Sequence, residues 1–365
     1  MLQQLMTPDR VGLGWRPQLA AGILSNLDQI DIVEVIADDY FEAPAARVRS
    51  LRTLMTQVPL TLHGVGLGPA STAGIDLKRL SKFARLIEQV KPESWSEHLA
   101  WVRGGGRELG HLAAPCRNGS TIDATLANLD RATQMVGRAP LVENIASLID
   151  PPASPLPESQ WLSAVIRGGQ STLLLDLHNV HTNAFNFRFD PFEFLDALPL
   201  DKVGAIHIAG GRPQGLRILD DHLHDVPDPV FDLLEYVAAR APQALTVVLE
   251  RDGSYPAMSE LLAQLSQARA AVARGRAKRI ALSPLPALAL NGIQGITNPA
   301  FEAYLAKVLI EPDERERFLQ DPKGEALRAG LQPAQARALE EIDREGLMMA
   351  ARSFANKRGK RIRGH

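Results

Sequence analysis

The sequence predicts an α/β protein, a (β/α)8 TIM barrel followed by a small all-α C-terminal domain. Three observations carry this. Short apolar runs alternate with longer stretches whose apolar residues recur at helical spacing, the rhythm of a parallel sheet wrapped by helices. About eight such units fall within the first 275 residues, the number and length that a barrel of this kind needs. After residue 298 the strand signals stop and only helical spacing remains.

The strand signals are Val11–Trp15, Asp31–Ile36, Leu60–His63, Ser94–His98, Pro140–Glu143, Thr172–Asp176, Val203–His207 and Leu245–Glu250. Between them lie helical signals, among them Leu77–Val90, Thr121–Gly137, Pro157–Arg167 and Pro227–Ala239. Periodicity alone also admits an open, doubly wound sheet. Against that, no strand runs into a Gly-x-Gly-x-x-Gly turn, and Gly104-Gly105-Gly106 has neither the spacing nor the flanks of a dinucleotide-binding loop.

The barrel is expected over residues 1–275, closing with a helix at Met258–Arg274. Residues 276–297, which include Pro284, Pro286, Gly292 and Gly295, read as a linker. Asn298-Pro299 then supplies an N-cap and a proline at the first helical position, ahead of Phe301, Tyr304, Leu305 and Val308 at helical spacing in Ala300–Ile310. Further helices at Glu314–Gln320 and Pro333–Phe354 complete a small helical domain, 298–355. The basic residues 356–365 are expected to form a flexible tail.

Composition narrows the function classes. With 365 residues, 45% hydrophobic and 22% charged, and no apolar run of 18, the chain is neither disordered nor membrane-spanning in character. A net charge of −2, from 40 Lys+Arg against 42 Asp+Glu, gives no global electrostatic case for nucleic acid or an anionic membrane as partner. The single cysteine, Cys116, excludes an internal disulfide and any cysteine-built zinc or iron–sulfur cluster from this chain alone. It follows Leu112-Ala113-Ala114-Pro115, away from the strand ends, and reads as structural or incidental. The opening MLQQLMTPDRVGLGW has no basic segment before an apolar one, so a cytoplasmic location is expected.

In such a barrel the active site lies at the C-terminal ends of the strands. Those ends carry His63, His98, Glu143 with Asn144 next, Asp176 with Asn179 three residues on, His207 and Glu250. Asp220 and His222 lie in the loop between the last two strands. Singly, each is more often a hydrogen-bonded structural residue than a ligand. Together on one rim they would be costly to bury unless cations offset their desolvation. His, Asp, Glu and Asn without cysteine suit iron, manganese or zinc, and nine donors are too many for one ion, so two or three ions are expected. His111, His178, His181 and His224 read as neighbours of the ligands, as substrate-facing or as merely exposed, and His365 as part of the tail.

The segments VGLGW, VEVIADDYF, LTLHGVGL, SEHLAWV, LVENIASLI, LLLDLHNVHTN, AIHIAGG, ILDDHLHDV and LERDGSYP occur in that order over roughly the first 265 residues. In these the chain resembles the multinuclear non-heme iron-dependent oxidative enzymes, whose members include the oxidase of methanobactin biosynthesis. The resemblance implies a barrel holding two or three iron ions of mixed Fe(II)/Fe(III) valence, with O2 as co-substrate and a ribosomally synthesised precursor peptide as substrate. It places metal on His63, His98, Glu143, Asp176, Asn179, His207, Asp220, His222 and Glu250. Where the family often has Glu-Asn-Tyr, this chain has Asp38-Asp39-Tyr40, so Asp38 is not assigned to the metal. Many members act with a separate protein that delivers the peptide. The helical tail, outside the family pattern, is a candidate for that role; the plainer alternative is a covering or dimerising appendage. The rival functions are a redox-inert divalent-metal barrel enzyme, of sugar isomerase or zinc phosphodiesterase type, and a non-catalytic peptide- or metal-binding protein.

Overall fold

The computed structural model describes residues 8–282, 285 and 295–363, with side chains up to residue 359. Eight parallel strands close into a barrel: β1 (Arg10–Trp15), β2 (Val33–Ile36), β3 (Leu60–Gly64), β4 (Trp95–His98), β7 (Leu141–Glu143), β8 (Thr172–Asp176), β9 (Val203–Ile208) and β12 (Thr246–Leu249). Two antiparallel hairpins account for the remaining strands, β5 (Trp101–Gly104) with β6 (Arg107–Ala113), and β10 (Arg212–Gln214) with β11 (Arg217–Leu219). Closure is made by β1 against β12, in the register Arg10↔Thr246 to Leu13↔Leu249, which removes both sheet edges and decides against the open sheet.

The strands are apolar because they are covered on both faces. Leu13, Val33, Leu60, Leu62, Leu173, Leu175, Ile206 and Val247 are fully buried between the barrel and its outer helices. Several helices begin where the sequence supplies a cap. Asp76 accepts from the backbone N–H groups of Lys78 and Arg79 at the start of the helix Leu77–Val90, and Asn118 forms a capping box with Thr121 at the start of Gly119–Val136. Gly12 shows how closely β1 is held: a Cβ there would stand 1.9 Å from the Ile32 carbonyl oxygen. Gly12→Ala is therefore expected to cost about 1–3 kcal/mol. Thermal melting would register this, and an unchanged melting temperature would show that β1 is free to shift.

After the barrel the helix Met258–Lys278 runs four residues past the expected end. Of the linker, residues 283, 284 and 286–294 lie outside the described residues. Five helices follow: Pro299–Ile310, Pro312–Gln320, Pro322–Arg328, Pro333–Glu340 and Arg344–Arg363. Pro322–Arg328 was not anticipated; its Asp321 cap accepts from Gly324 N–H, and Asp-Pro reads equally well as a break or as a helix start. The single helix expected at Pro333–Phe354 is two, because Asp343 accepts from Gly346 N–H and starts a new helix there. That last helix continues to Arg363 through the stretch read as a flexible tail.

The five helices do not form a core by themselves. Phe301, Leu305, Phe318, Leu339, Leu347 and Phe354 pack in one cluster with Trp101, Leu109, Ala113 and Cys116 of the β5–β6 region. Cys116 is buried there, and burial pushes its thiol up to about 12, which suits the structural reading. The tail is also tied to loops that leave other strands. Glu302 accepts from Ser71 Oγ and Thr72 N–H, both at 2.7 Å, after β3, and Asp343 pairs with Arg217 on β11. The helical segment is thus seated on the loops at the C-terminal end of the barrel.

Candidate metal centre

Strand β3 ends in His63–Gly64, β4 in His98, β7 in Glu143 and β8 in Asp176, so in-register pairing sets their side chains side by side. His98 is opposite Glu143, and Asp176 is opposite His207. His98 Nδ1 stands 3.1 Å from the Gly64 carbonyl oxygen, which can only accept, so Nδ1 carries a hydrogen and, once the ring is neutral, Nε2 is the nitrogen left with a lone pair. His63 Nδ1 is held 2.8 Å from Ser96 Oγ. Both Nε2 atoms then face Glu143 Oε2, at 3.4 Å from His63 and 3.3 Å from His98.

Glu143 Oε1 faces the other way, toward His207 Nδ1 at 3.2 Å, and His207 Nδ1 is 3.3 Å from Glu250 Oε2. Two groups result, each with donor atoms within 4.8 Å of one another: His63, His98 and Glu143; and Glu143, Asp176, His207 and Glu250. Glu143 belongs to both. The remaining pair adjoins the second group, since His222 Nε2 is 2.7 Å from Asp220 Oδ1 and its Nδ1 is 3.2 Å from Glu250 Oε2. His222 has a backbone φ of +55°, a left-handed conformation that few residues other than glycine adopt, histidine more readily than most.

Asp176 and Asn179 come together through a helix cap. Asp176 Oδ1 accepts from Asn179 N–H at 2.7 Å to start the helix Leu177–Phe187. Asn144 fixes this corner by exchanging two hydrogen bonds with the Asp176 backbone and accepting from Asn179 Nδ2 at 3.0 Å. Asp38 turns away from the centre, accepting from Val65 N–H and pairing with Arg79. His178, buried, stands 3.6 Å from Asp220 Oδ1 and ring to ring with His222 and His181. His224 is half exposed and 3.7 Å from Asp221, and His111 packs on Phe354.

Sequence reading missed Glu34 and Glu97. Glu34 Oε1 lies 2.9 Å from His207 Nε2, while Glu97 accepts from the His98 and Leu67 N–H groups and shapes the loop after β3. The available signal was a lone carboxylate inside an apolar run, Val33-Glu34-Val35-Ile36, in a strand with no other reason to carry charge.

Burial disfavours the charged forms of His98, Glu143, Asp176, His207, Asp220, His222 and Glu250, and pairing overrides it at all of these but Asp176. Glu143 and then Glu97 raise His98 to about 9 against its burial. The carboxylates around His207 and His222 raise both well above the ordinary imidazole range, again against burial. Correspondingly, burial would lift the Glu143 and Glu250 carboxyls, but the facing histidines hold both down. Burial and the neighbouring Glu143 instead push Asp176 up. For Asp220, burial is outweighed by His222, His178 and Lys357 on the last helix, which together hold its carboxyl well below the ordinary range. Burial pushes His178 down to about 4, so it is neutral at physiological pH.

The donor set fits bound cations. Among the described residues, Glu143 Oε2, Asp176 Oδ2, His178 Nδ1 and Asn179 Oδ1 are buried without a hydrogen bond in the protein, and the close Asp220 Oδ1–His222 Nε2 and Glu34 Oε1–His207 Nε2 contacts are not aligned as hydrogen bonds either. Native interiors leave few such atoms, and their concentration in one place calls for ligands that are not amino acids. Metal loading would displace the imidazole protons, so it should release protons to solvent.

A barrel of this build, with a cluster of candidate metal donors on its C-terminal rim, points to a class of enzyme, and the comparisons specify the family. The family model described as the RiPP precursor modification enzyme MbnB/TglH/ChrH matches residues 10–273, and the chain belongs to that family of enzymes acting on ribosomally synthesised precursor peptides. The match stops short of the helices from Pro299 onward. A UPF0276 protein of Bordetella parapertussis is 34% identical over 276 residues, covering 74% of this chain and 95% of its own. A UPF0276 protein of Acaryochloris marina is 32% identical over 257 residues, covering 70% and 92%. Among solved structures, an L-ribulose 3-epimerase superposes with a TM-score of 0.50 at 15% identity, covering 74% of this chain and 96% of that one. A xylose isomerase-like TIM barrel/4-hydroxyphenylpyruvate dioxygenase fusion protein gives 0.51 at 14% identity, covering 77% and 47%. These two likenesses show the barrel fold alone. No helix among the described residues is long and apolar enough to cross a membrane.

Proposed function

We propose that this chain is a multinuclear non-heme iron oxidase that uses O2 to modify a ribosomally synthesised precursor peptide in the cytoplasm. The observation that carries the reading is the sharing of Glu143 between two donor groups, which suits a carboxylate bridging neighbouring ions. His63 and His98 with Glu143 would hold one ion, and Glu143, Asp176, His207 and Glu250 a second. Asn179, Asp220 and His222 are the candidates for a third. The absence of cysteine donors and the mixed N and O set favour iron in this family setting.

Bound iron would supply one-electron chemistry with dioxygen. The chain's own residues do the rest. Ser96, Gly64 and Asn144 fix the donors before metal arrives, so little reorganisation is needed on loading. Buried His178, neutral at physiological pH, stands beside Asp220, where it can accept or donate a hydrogen bond to a substrate. The helical segment 298–355 would hold the peptide against the rim and take the place of a separate delivery protein. An apolar recess of about 60 Å³ between Ser147, Ile149, Leu305, Leu309 and Phe354 is of a size to receive a side chain of that peptide.

Aerobically purified protein should contain more than one iron per chain, and a short peptide encoded beside the gene should change mass only when dioxygen is present. Stoichiometric zinc, with turnover surviving iron removal and anaerobiosis, would instead favour the redox-inert barrel enzyme.

A further inference from the structure

We infer that Glu34 is a positioning residue for this centre: it takes the Nε2 hydrogen of His207 and thereby turns Nδ1 toward the metal. The inference rests on the reading of the cluster as a metal centre. Glu34 stands two residues before the end of β2, below the rim that carries the candidate ligands. It is 2% exposed and His207 is wholly buried, so neither side chain can exchange its partner for water.

The two edges of the His207 ring face different surroundings. Nδ1 looks to Glu143 Oε1 and Glu250 Oε2, at 3.2 and 3.3 Å, inside the four-residue donor group. Nε2 looks to Glu34 Oε1 alone, at 2.9 Å. An imidazole that binds a cation through one nitrogen keeps its hydrogen on the other, and that hydrogen needs a buried acceptor. Glu34 Oε1 is within reach and accepts no hydrogen bond from elsewhere in the protein. The contact is close but not aligned as a hydrogen bond. The terminal torsion of a glutamate is soft, so a rotation of the carboxylate brings the two into line. A carboxylate placed behind a metal-binding histidine fixes the ring and strengthens the nitrogen that binds.

Titration of metal-free protein with Co(II), followed by its visible absorption, tests this without relying on turnover. Glu34→Ala should bind the same number of Co(II) ions per chain as wild type, but about 10- to 100-fold more weakly. Glu34→Gln, whose amide oxygen still accepts, should fall between the two. Should Glu34→Ala fail to fold, Glu34→Asp, too short to reach Nε2, takes its place with the same expected weakening. Unchanged affinity in the Ala or Asp variant overturns the inference. So does the loss of one whole ion in Gln and Ala alike, which would make Glu34 a ligand itself. If wild type binds no Co(II), the reading of the cluster as a metal centre fails, and the inference with it.

Discussion

Glu143→Ala is expected to empty the centre rather than weaken it. Its two oxygens face different donor groups, Oε2 toward His63 and His98, Oε1 toward His207, so one substitution removes a donor from both. Residues that merely orient metal ligands commonly cost 10- to 100-fold in affinity or activity, and a shared ligand should exceed about 100-fold. His63→Ala is the control. It touches only the first group, and should leave the metal held by Glu143, Asp176, His207 and Glu250 in place. Elemental analysis of the two variants separates the cases. If Glu143→Ala and His63→Ala lose the same fraction of metal, Glu143 does not bridge.

Removing the tail is expected to damage the barrel's rim as well as any peptide binding. A chain ending near Gly292 would expose Trp101 and Leu109, which are buried against Phe301, Leu305 and Phe354. Uncovering two large apolar side chains costs about 3–6 kcal/mol, a sizeable part of the roughly 5–15 kcal/mol that holds a typical domain folded. The loop after β3 would also lose its Glu302 anchor. The shortened protein should bind an apolar dye, melt lower and lose metal together with peptide affinity. A truncated protein with wild-type melting and metal content would restore the simpler picture of an independent domain behind a linker.

Most of the fold is legible in the sequence because a closed parallel barrel buries its strands on both sides. Runs such as Leu173-Leu174-Leu175 and Thr246-Val247-Val248-Leu249 have no other use, and the eight strands lie within two residues of where the apolar runs place them. The hairpins escaped because neither obeys that rule. Arg212-Pro213-Gln214 is exposed throughout, and β6 alternates polar and apolar residues irregularly around Gly110. Closure itself leaves no periodic trace, since β1 and β12 meet across more than 230 residues.

The site divides in the same way. Residues at strand ends could be picked out because the architecture points those positions at one rim. Glu34 could be noticed as a charge inside an apolar run but not given a role, because what faces it is a histidine far along the chain, on β9. Nor does spacing show that Glu143 serves two groups, which depends on distances across the barrel.

Asp176 belongs at once to the candidate metal cluster and to the cap of the helix behind it. While one oxygen lies unpartnered within the cluster, the other closes the first turn of Leu177–Phe187. Near the far end of that helix Asn186 clasps Ile218 of β11 through two hydrogen bonds, and the neighbouring Arg217 reaches Asp343 at the start of the last helix. A helix, a hairpin strand and an ion pair thus join a residue of the cluster to the start of the last helix.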